Sequence, residues 1–318
     1  MGEPAIHTSR LSPAPHMRTR LTTGMIMLIT LITLLLPAAG GIIRYGNNAV
    51  AIIVVTTASA MVAGMICQKL RGQALSFEAS TMITGLLLAL VLPPTLPLWM
   101  AAIGAIFAIC IIKEAFGGLG QNIFNPAVGA QAFLLASFAG PMSRWIEPSG
   151  FSGELITGIN PLVGEIGAEI SRIELYQNLL FGNAPGFIGG GTIFVIIGGL
   201  VLLVFRAVDI KTTLSYLAAV ALTSLAFGAD PIFNLLAGGV MLAAFYFACD
   251  PVTTPLYWKG RLIFAIGAGV LTVLIRQLGN APDGVAYAIL IMNAVTPLID
   301  RYVKPVPMGM RKVKRNEA

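Results

Sequence analysis

Two short stretches of this sequence resemble each other: LPPTLPLW at residues 92–99 and DPVTTPLYW at residues 250–258. The first follows the third apolar run of the chain and the second follows the eighth, so an odd number of membrane crossings would separate them. They are therefore predicted to lie on opposite sides of a bilayer, as in an inverted-topology repeat. The similarity is short, and proline-rich loop ends also recur by chance.

The composition favours a membrane protein over a soluble domain. Of 318 residues, 56% are hydrophobic and only 11% are charged. The apolar runs have lengths that suit membrane spans, which are helices because backbone groups in lipid must satisfy one another. The alternating pattern of barrel strands is absent. We predict an all-α polytopic membrane protein with about ten transmembrane helices in two inverted five-helix repeats.

The predicted spans divide the chain into five parts. The spans are residues 24–43, 47–68, 79–93, 96–114, 122–140, 187–206, 212–228, 232–249, 261–279 and 283–299. The parts are an N-terminal tail (1–23), a first half (24–140), a long connection (141–186), a second half (187–299) and a basic C-terminal tail (300–318).

The distribution of basic residues predicts the orientation. If the N-terminus is cytoplasmic, Arg44, Arg144, Arg172 and Arg276 fall outside and every other Lys and Arg falls on the cytoplasmic side. This asymmetry obeys the positive-inside rule and places both termini in the cytoplasm. The net charge of +6 needs no nucleic-acid partner. The basic tail MRKVKR is expected to meet anionic lipid headgroups or a partner protein.

The long connection is acidic and is predicted to lie outside. Within it, IGAEISRIELYQNLLFG (166–182) places Ile166, Ile170, Ile173 and Leu175 at helical spacing. This pattern predicts a short amphipathic helix on the membrane surface.

The stretch GQNIFNPAVGA (120–130) opens the fifth predicted span and carries two amides. Asn122 and Asn125 are three residues apart, so a helix start would place both on one face. One interpretation is a capped helix, with Asn125 as the cap and Pro126 in the first turn. The other is ligand binding, because an amide offers both a donor and an acceptor to the mixed edge of a heteroaromatic ring.

A carboxylate ends the eighth predicted span. Asp250 begins DPVTTPLYW, where Thr253 follows, and lies close to the hydrocarbon. An acidic residue at this depth is a functional candidate. The alternative is an interfacial ion pair with Lys259 or Arg261.

Other polar residues have simpler interpretations. Asn293 lies inside the last span and is expected to bond a neighbouring helix. Arg276 is predicted to be an anchor that reaches the outer face. Cys67, Cys110 and Cys249 are isolated in the sequence, so they are predicted to be small buried apolar residues rather than metal ligands. We expect no metal site and no catalytic residue in this chain.

Three long stretches resemble one family in order along the chain. They are KEAFGGLGQNIFNPAVGAQAF (113–133), CDPVTTPLYWKGRLIFAIGAGVLTVLIRQLG (249–279) and DGVAYAILIMNAVTPLIDRY (283–302). The sequence resembles the D subunits of Rnf complexes and, more distantly, the B subunit of the sodium-pumping NADH:quinone reductase.

This resemblance implies a urea-channel-like fold in the cytoplasmic membrane and a flavin-carrying component that is not catalytic alone. The complex would couple electron transfer between ferredoxin and NAD, or another carrier, to Na⁺ or H⁺ translocation. The implied partners are the A, B, C, E and G subunits of the Rnf complex, with ferredoxin and NAD met only indirectly. A passive channel or transporter of the same fold is the alternative.

The resemblance also implies a noncovalent flavin, riboflavin or FMN, inside the helix bundle. Its predicted contacts are Asn122, Asn125, Pro126, Asp250, Thr253 and Asn293.

The family usually carries a second flavin, an FMN joined through a phosphoester to a threonine in the outer loop. The matching stretch here is ELITGINPLVG (154–164), in which Asn160 occupies the attachment position and Thr157 lies three residues early. Because Asn160 has no hydroxyl, we expect that covalent FMN is absent or that FMN is held there noncovalently.

Overall fold

The computed structural model describes residues 22–151, 156–162, 171–279 and 283–303. Within these ranges the chain is helical, and its one extended pairing is an antiparallel bridge between Ile146 and Thr157. The predicted all-α fold class is therefore confirmed. Most of both predicted tails lies outside the described residues.

Twelve α-helices and two π-helical segments make up the described part of the chain. The α-helices are α1 (Thr23–Leu70), α2 (Ala79–Leu90), α3 (Leu98–Phe107), α4 (Pro126–Ser137), α5 (Ala139–Met142), α6 (Arg172–Phe181), α7 (Thr192–Val204), α8 (Ile210–Ala226), α9 (Pro231–Leu236), α10 (Val240–Leu242), α11 (Trp258–Leu278) and α12 (Val285–Tyr302). The first π segment (Ala108–Glu114) continues α3, and the second π segment (Ala243–Phe247) continues α10.

The first two predicted spans form one helix, α1, with a break at Gly46. This residue has φ 56° and ψ −134°, a conformation that L side chains rarely adopt. The Gly150 N–H donates to the Arg44 carbonyl beside the break, with an N···O distance of 2.7 Å. A Cβ at Gly46 would lie 2.5 Å from the Gly150 carbonyl oxygen, so this position requires glycine.

The helices pack into a bundle that leaves apolar side chains on its outside. α1 packs against α2, α3 and α7, and α8 packs against α11, which also contacts α12. Leu35, Leu222 and Ile263 are among the large apolar residues that remain exposed. Of the described helices, α1 and α11 are each long and apolar enough to cross a membrane.

The two proline-rich stretches occupy similar places in the chain. Residues 92–99 run from the end of α2 into α3, and residues 250–258 run from the second π segment into α11. Each stretch therefore connects a helical segment that has just ended to the next helix.

Two predicted spans are interrupted or shortened. The span predicted at 122–140 begins as a helix only at Pro126, because Asn125 is extended (φ −65°, ψ 122°), as a residue before proline usually is. The span predicted at 232–249 is broken between α9 and α10, where Gly238 has φ 68°.

Arg276 is not an exposed anchor, because its side chain is only 3% exposed. Its guanidinium donates to the carbonyls of Asn234 (2.8 Å), Ala237 (3.0 Å) and Asp283 (2.8 Å). It also pairs with the Asp283 carboxylate at 3.3 Å. The snorkelling prediction was wrong because the break after α9 offers carbonyls that lack helical partners.

The amphipathic helix predicted at 166–182 is found in part, as α6. Ser171 caps it by accepting from the Glu174 N–H at 3.2 Å. Leu175 is buried but Ile173 is 70% exposed, so the two do not share an apolar face as predicted. Ile166 and Ile170 lie outside the described residues.

Candidate functional site

A polar network forms where the start of α4 meets the loop before α11. Asn125 is the N-cap of α4, and its Oδ1 accepts from the Ala127 and Val128 N–H groups at 3.1 and 3.3 Å. Its Nδ2 donates to Oδ2 of Asp250 at 2.9 Å. The predicted capping role is confirmed, and the same amide also holds a carboxylate from the other half of the sequence.

Hydrogen-bond donors, rather than a cation, surround the Asp250 carboxylate. Its Oδ1 accepts from the Val252 N–H at 3.1 Å, and its Oδ2 also accepts from the Thr253 hydroxyl at 3.1 Å. These bonds and the one from Asn125 satisfy both oxygens without a salt bridge.

The predicted ion pair between Asp250 and Lys259 or Arg261 is wrong. Arg261 instead donates through Nε to the Pro255 carbonyl at 2.9 Å. Lys259 lies over the Trp258 ring, with Nζ 5.5 Å from its centroid. Both cations therefore contact other groups at the start of α11 and in the turn before it, and not the Asp250 carboxylate.

Helix α12 completes the network from a third direction. Asn293 is fully buried, and its two amide atoms face one donor and one acceptor. With the amide oriented to satisfy both neighbours, its oxygen accepts from the Asn125 N–H at 3.0 Å and its nitrogen donates to the Thr253 carbonyl at 3.3 Å. The Thr296 hydroxyl donates to the same carbonyl at 3.1 Å. Asn293 was predicted to bond a neighbouring helix; its partners are the N-cap of α4 and the loop before α11.

A cavity of about 840 Å³, including its open mouth, adjoins this network. Its walls are mostly apolar with a few polar groups, as is usual for a small-molecule site. We call it the Asn125 cavity; its lining includes Met27, Leu87, Leu202, Phe245 and Tyr246, with Asn122, Asn125, Pro126, Lys113 and Asp250.

Asn122 reaches the Asn125 cavity from a loop rather than from a helix face. Its Nδ2 donates to the Phe124 carbonyl at 3.0 Å. None of the hydrogen bonds between described residues involves its Oδ1. The prediction of one shared helix face was wrong because α4 starts after Asn125. Both amides nevertheless line the same cavity.

The sequence profile described as the NQR2, RnfD, RnfE family matches residues 10–309 of this chain. The chain belongs to the NQR2, RnfD, RnfE family. The predicted resemblance is therefore confirmed.

Relatives within this family match over nearly their full length. The D subunit of the proton-translocating ferredoxin:NAD(+) oxidoreductase complex of Clostridium ljungdahlii is 37% identical over 95% of this chain and 96% of its own. The D subunit of the Na(+)-translocating ferredoxin:NAD(+) oxidoreductase complex of Acetobacterium woodii is 37% identical over 96% of both chains. The D subunit of the ion-translocating oxidoreductase complex of Escherichia coli is 33% identical over 95% of this chain and 99% of its own.

In this family member, Lys113 is a buried cation beside the Asn125 cavity. Its side chain is 2% exposed, and its Nζ donates at 2.8 Å to Glu78, Ser80 and Thr81. These three bonds use all the hydrogens of the ammonium group. The acceptors lie more than thirty positions away. The run EAST at residues 78–81 was the available signal for them.

Glu78 and Glu114 are carboxylates that offset the positive charge of Lys113. They lie on the side of Lys113 that faces the loop after α1. Burial alone would raise the pKa of Glu78, but hydrogen bonding and attraction to Lys113 outweigh it and hold the pKa below its usual value. Glu114 pairs with Arg71 at 2.9 Å. The cluster therefore ties α1, α2 and the first π segment together.

Thr157 and Asn160 do not join the Asn125 network. Asn160 is buried, and its Oδ1 accepts from the Leu162 N–H at 2.9 Å, which is a local turn. It lines a separate cavity of about 1210 Å³, the Asn160 cavity, with Trp145, Phe187, Asp283 and Tyr287. Thr157 is exposed.

Proposed function

We propose that this chain is the D subunit of an Rnf-type complex. The complex couples electron transfer between ferredoxin and NAD, or another carrier, to translocation of Na⁺ or H⁺. Family membership and the names of relatives that align over nearly their whole length support this assignment. The A, B, C, E and G subunits are the proposed partners, and ferredoxin and NAD react elsewhere in the complex.

The proposed topology has ten spans in two inverted halves, with both termini on the cytoplasmic side of the cell membrane. The ion pairs among the described residues support it, because each joins groups predicted to lie on the same side. Arg71–Glu114 and Lys113–Glu78 fall at the cytoplasmic side, and Arg276–Asp283 falls outside. The first two pairs bear on the two crossings predicted between residues 78 and 114, whereas Arg276 and Asp283 flank one predicted loop.

The Asn125 cavity is the proposed site of a noncovalent riboflavin or FMN. The observation that carries this proposal is a mostly apolar cavity beside which Asn122 keeps an uncommitted amide oxygen. That oxygen would accept from a ring N–H, and the second hydrogen of the Asn125 amide would donate to a ring carbonyl. A bound flavin would supply the electron-carrying group. The apolar walls exclude water and disfavour charged forms.

The Asn160 cavity does not fit a phosphoester-linked FMN. Asn160 has no hydroxyl to form the ester, and its amide oxygen is committed to the Leu162 N–H. After denaturing electrophoresis under ultraviolet light, we expect no fluorescent band for this chain near its mass of 33.4 kDa. A fluorescent band there would refute the proposed absence of a covalent flavin.

The flavin proposal is tested on the purified complex with Asn122→Ala and the matched variant Gln121→Ala, whose native side chain is exposed. Noncovalent flavin is released by denaturation and quantified per complex. Loss of one hydrogen bond of about 1.4 kcal/mol weakens binding about tenfold, so Asn122→Ala should lose about one equivalent during washing. Gln121→Ala should retain it. Equal flavin content in both variants would overturn the assignment of the cavity, and a wild-type complex without noncovalent flavin would favour a passive channel.

A further inference from the structure

We propose that Cys67 and Cys110 are a modification site: a thiol pair that forms a reversible intramolecular disulfide under oxidising conditions. Cys67 lies in the last turn of α1, and Cys110 lies in the first π segment. Their Sγ atoms are 3.4 Å apart, and both residues are half-buried. The sequence predicted isolated buried apolar residues because 43 positions separate the two.

The thiols need only a small displacement to bond. A disulfide has an S–S length of about 2.0 Å, so the Sγ atoms must approach by roughly 1.4 Å. Side-chain rotation at a helix end can supply much of this movement. Cys249 has no such neighbour, since its thiol lies 3.3 Å from the Ala244 carbonyl and 3.3 Å from the Thr213 hydroxyl.

The pair lies where two helical elements end. The Cys67 carbonyl accepts from the Arg71 N–H at 3.1 Å, which closes α1. The Cys110 carbonyl accepts from the Ala115 N–H at 3.0 Å, which closes the first π segment. Arg71 and Glu114 join the same two ends through their ion pair at 2.9 Å. A disulfide would therefore add a covalent link beside this ion pair, which weakens as the salt concentration rises.

This junction leads directly into residues 115–124, the loop that carries Asn122 into the Asn125 cavity. Fixing the end of the first π segment to α1 restrains the start of that loop. Oxidation is therefore expected to slow hydrogen exchange in residues 115–124. This expectation rests on the cysteine geometry and not on the presence of a flavin.

The reaction requires an external two-electron oxidant, for which a peroxide is sufficient. One thiolate attacks a peroxide oxygen, the O–O bond breaks, and a sulfenic acid and one water are formed. The second thiol then attacks the sulfenic sulfur, the S–S bond forms, and a second water leaves. In the balance, two thiols lose two electrons and two protons, and one hydrogen peroxide becomes two waters. A thiol reductant reverses the bond.

The test treats the intact, detergent-solubilised complex with hydrogen peroxide, removes the peroxide with catalase, and alkylates under denaturing conditions. Peptide mass spectrometry should find Cys67 and Cys110 in one cross-linked pair, lighter by two hydrogens than the sum of the reduced peptides. Cys249 alone among the three cysteines should be alkylated. Dithiothreitol should restore alkylation of all three.

Variants make the assignment specific. Cys249→Ser should form the same cross-link, whereas Cys67→Ser should leave Cys110 fully alkylated. The peptide map of the wild-type protein is sufficient to test the proposal, so the test remains valid even if a variant misfolds. Full alkylation of Cys67 and Cys110 in oxidised wild type would overturn the proposal. So would their conversion to sulfinic or sulfonic acid, or a disulfide between two copies of the chain.

Discussion

The Asn125 cavity and the Asn160 cavity use asparagine in different ways. Beside the Asn125 cavity, Asn125 and Asn293 bond to groups that come from distant parts of the chain, including Asp250. In the Asn160 cavity, the bond that Asn160 makes within the described part of the chain is to the backbone two residues away. The Asn160 cavity is nevertheless the larger, at about 1210 Å³ against about 840 Å³.

This difference shows that the source of the polar groups, distant segments or a local turn, says more about a ligand site than the volume of the cavity does. A local turn satisfies Asn160 whether or not a ligand is present. In the Asn125 cavity, side chains from α4, α12 and the loop before α11 depend on one another, and Asn122 still has an amide oxygen to offer. We therefore expect substitutions beside the Asn125 cavity to have the larger effects.

The largest effect is expected for Asp250→Ala. It leaves the Asn125 amide, the Val252 N–H and the Thr253 hydroxyl without their acceptor. Bonds to a charged group contribute about 1.5–3 kcal/mol each and are not additive, so we expect a loss of about 3 kcal/mol. The measurement is the unfolding midpoint of the purified complex, together with its noncovalent flavin content.

The matched control for that change is Asp209→Ala. Asp209 also accepts from a backbone N–H, that of Lys211 at 3.1 Å, but it only caps α8. Its loss should cost about 1 kcal/mol. Equal effects of the two substitutions would contradict the interdependence described for the Asn125 network.

Asn293→Leu should have the next largest effect, about 2 kcal/mol. It leaves the Asn125 N–H without its acceptor and removes one donor to the Thr253 carbonyl. Thr296→Val keeps the acceptor for Asn125 and removes only the second donor to that carbonyl. The unfolding midpoint should therefore fall further for Asn293→Leu, and the reverse order would show that α12 does not hold the α4 cap.

Asn160→Ala tests the Asn160 cavity for comparison. The change removes one local bond to the Leu162 N–H, and it should cost about 1 kcal/mol or less. Noncovalent flavin content should remain at the wild-type level. A loss of flavin as large as that of Asp250→Ala would place the cofactor in the Asn160 cavity instead.

The smallest effect concerns the charge cluster that borders the Asn125 cavity. The pKa of Glu78 is held below its usual value, so its contribution to stability is complete above the usual pKa of about 4.3. That contribution is lost as the pH falls through the lowered, folded-state pKa. Because the carboxylate is partly exposed, we expect less than about 1 kcal/mol.

Stability curves of wild type and Glu78→Gln against pH test this expectation. The difference between them should be greatest near neutral pH and should shrink as the solution becomes acidic. Glu174→Gln on the exposed α6 is the control and should show no such convergence. A difference that grows on acidification would contradict the assigned sign.

Sequence reasoning found the residues of the Asn125 network but not all of their partners. Asn125, Asp250 and Asn293 stood out because polar groups at the ends or inside apolar runs need a reason. The acceptors of Lys113, the carbonyls bound by Arg276 and the contact of Cys67 with Cys110 were not predicted. They arise from tertiary contacts between segments whose separation in the sequence carries no periodic signal.

Helix boundaries could be predicted only where a residue such as glycine strongly favours a break in the helix. The break in α1 at Gly46 coincides with a predicted loop, because glycine and the preceding arginine ended the apolar run. The start of α4 was placed four residues early because Ile123 and Phe124 continue the apolar run, whereas Asn125 before Pro126 is extended and caps the helix.

The Thr253 carbonyl receives hydrogens from both Asn293 and Thr296 on α12. A rotation of that single peptide group would release both donors together, while the Thr253 hydroxyl stays linked to Asp250. Displacement of this turn therefore cannot remain local: α12 must follow it or lose two contacts at once. One peptide plane thus acts as a mechanical coupling between the carboxylate and the last helix.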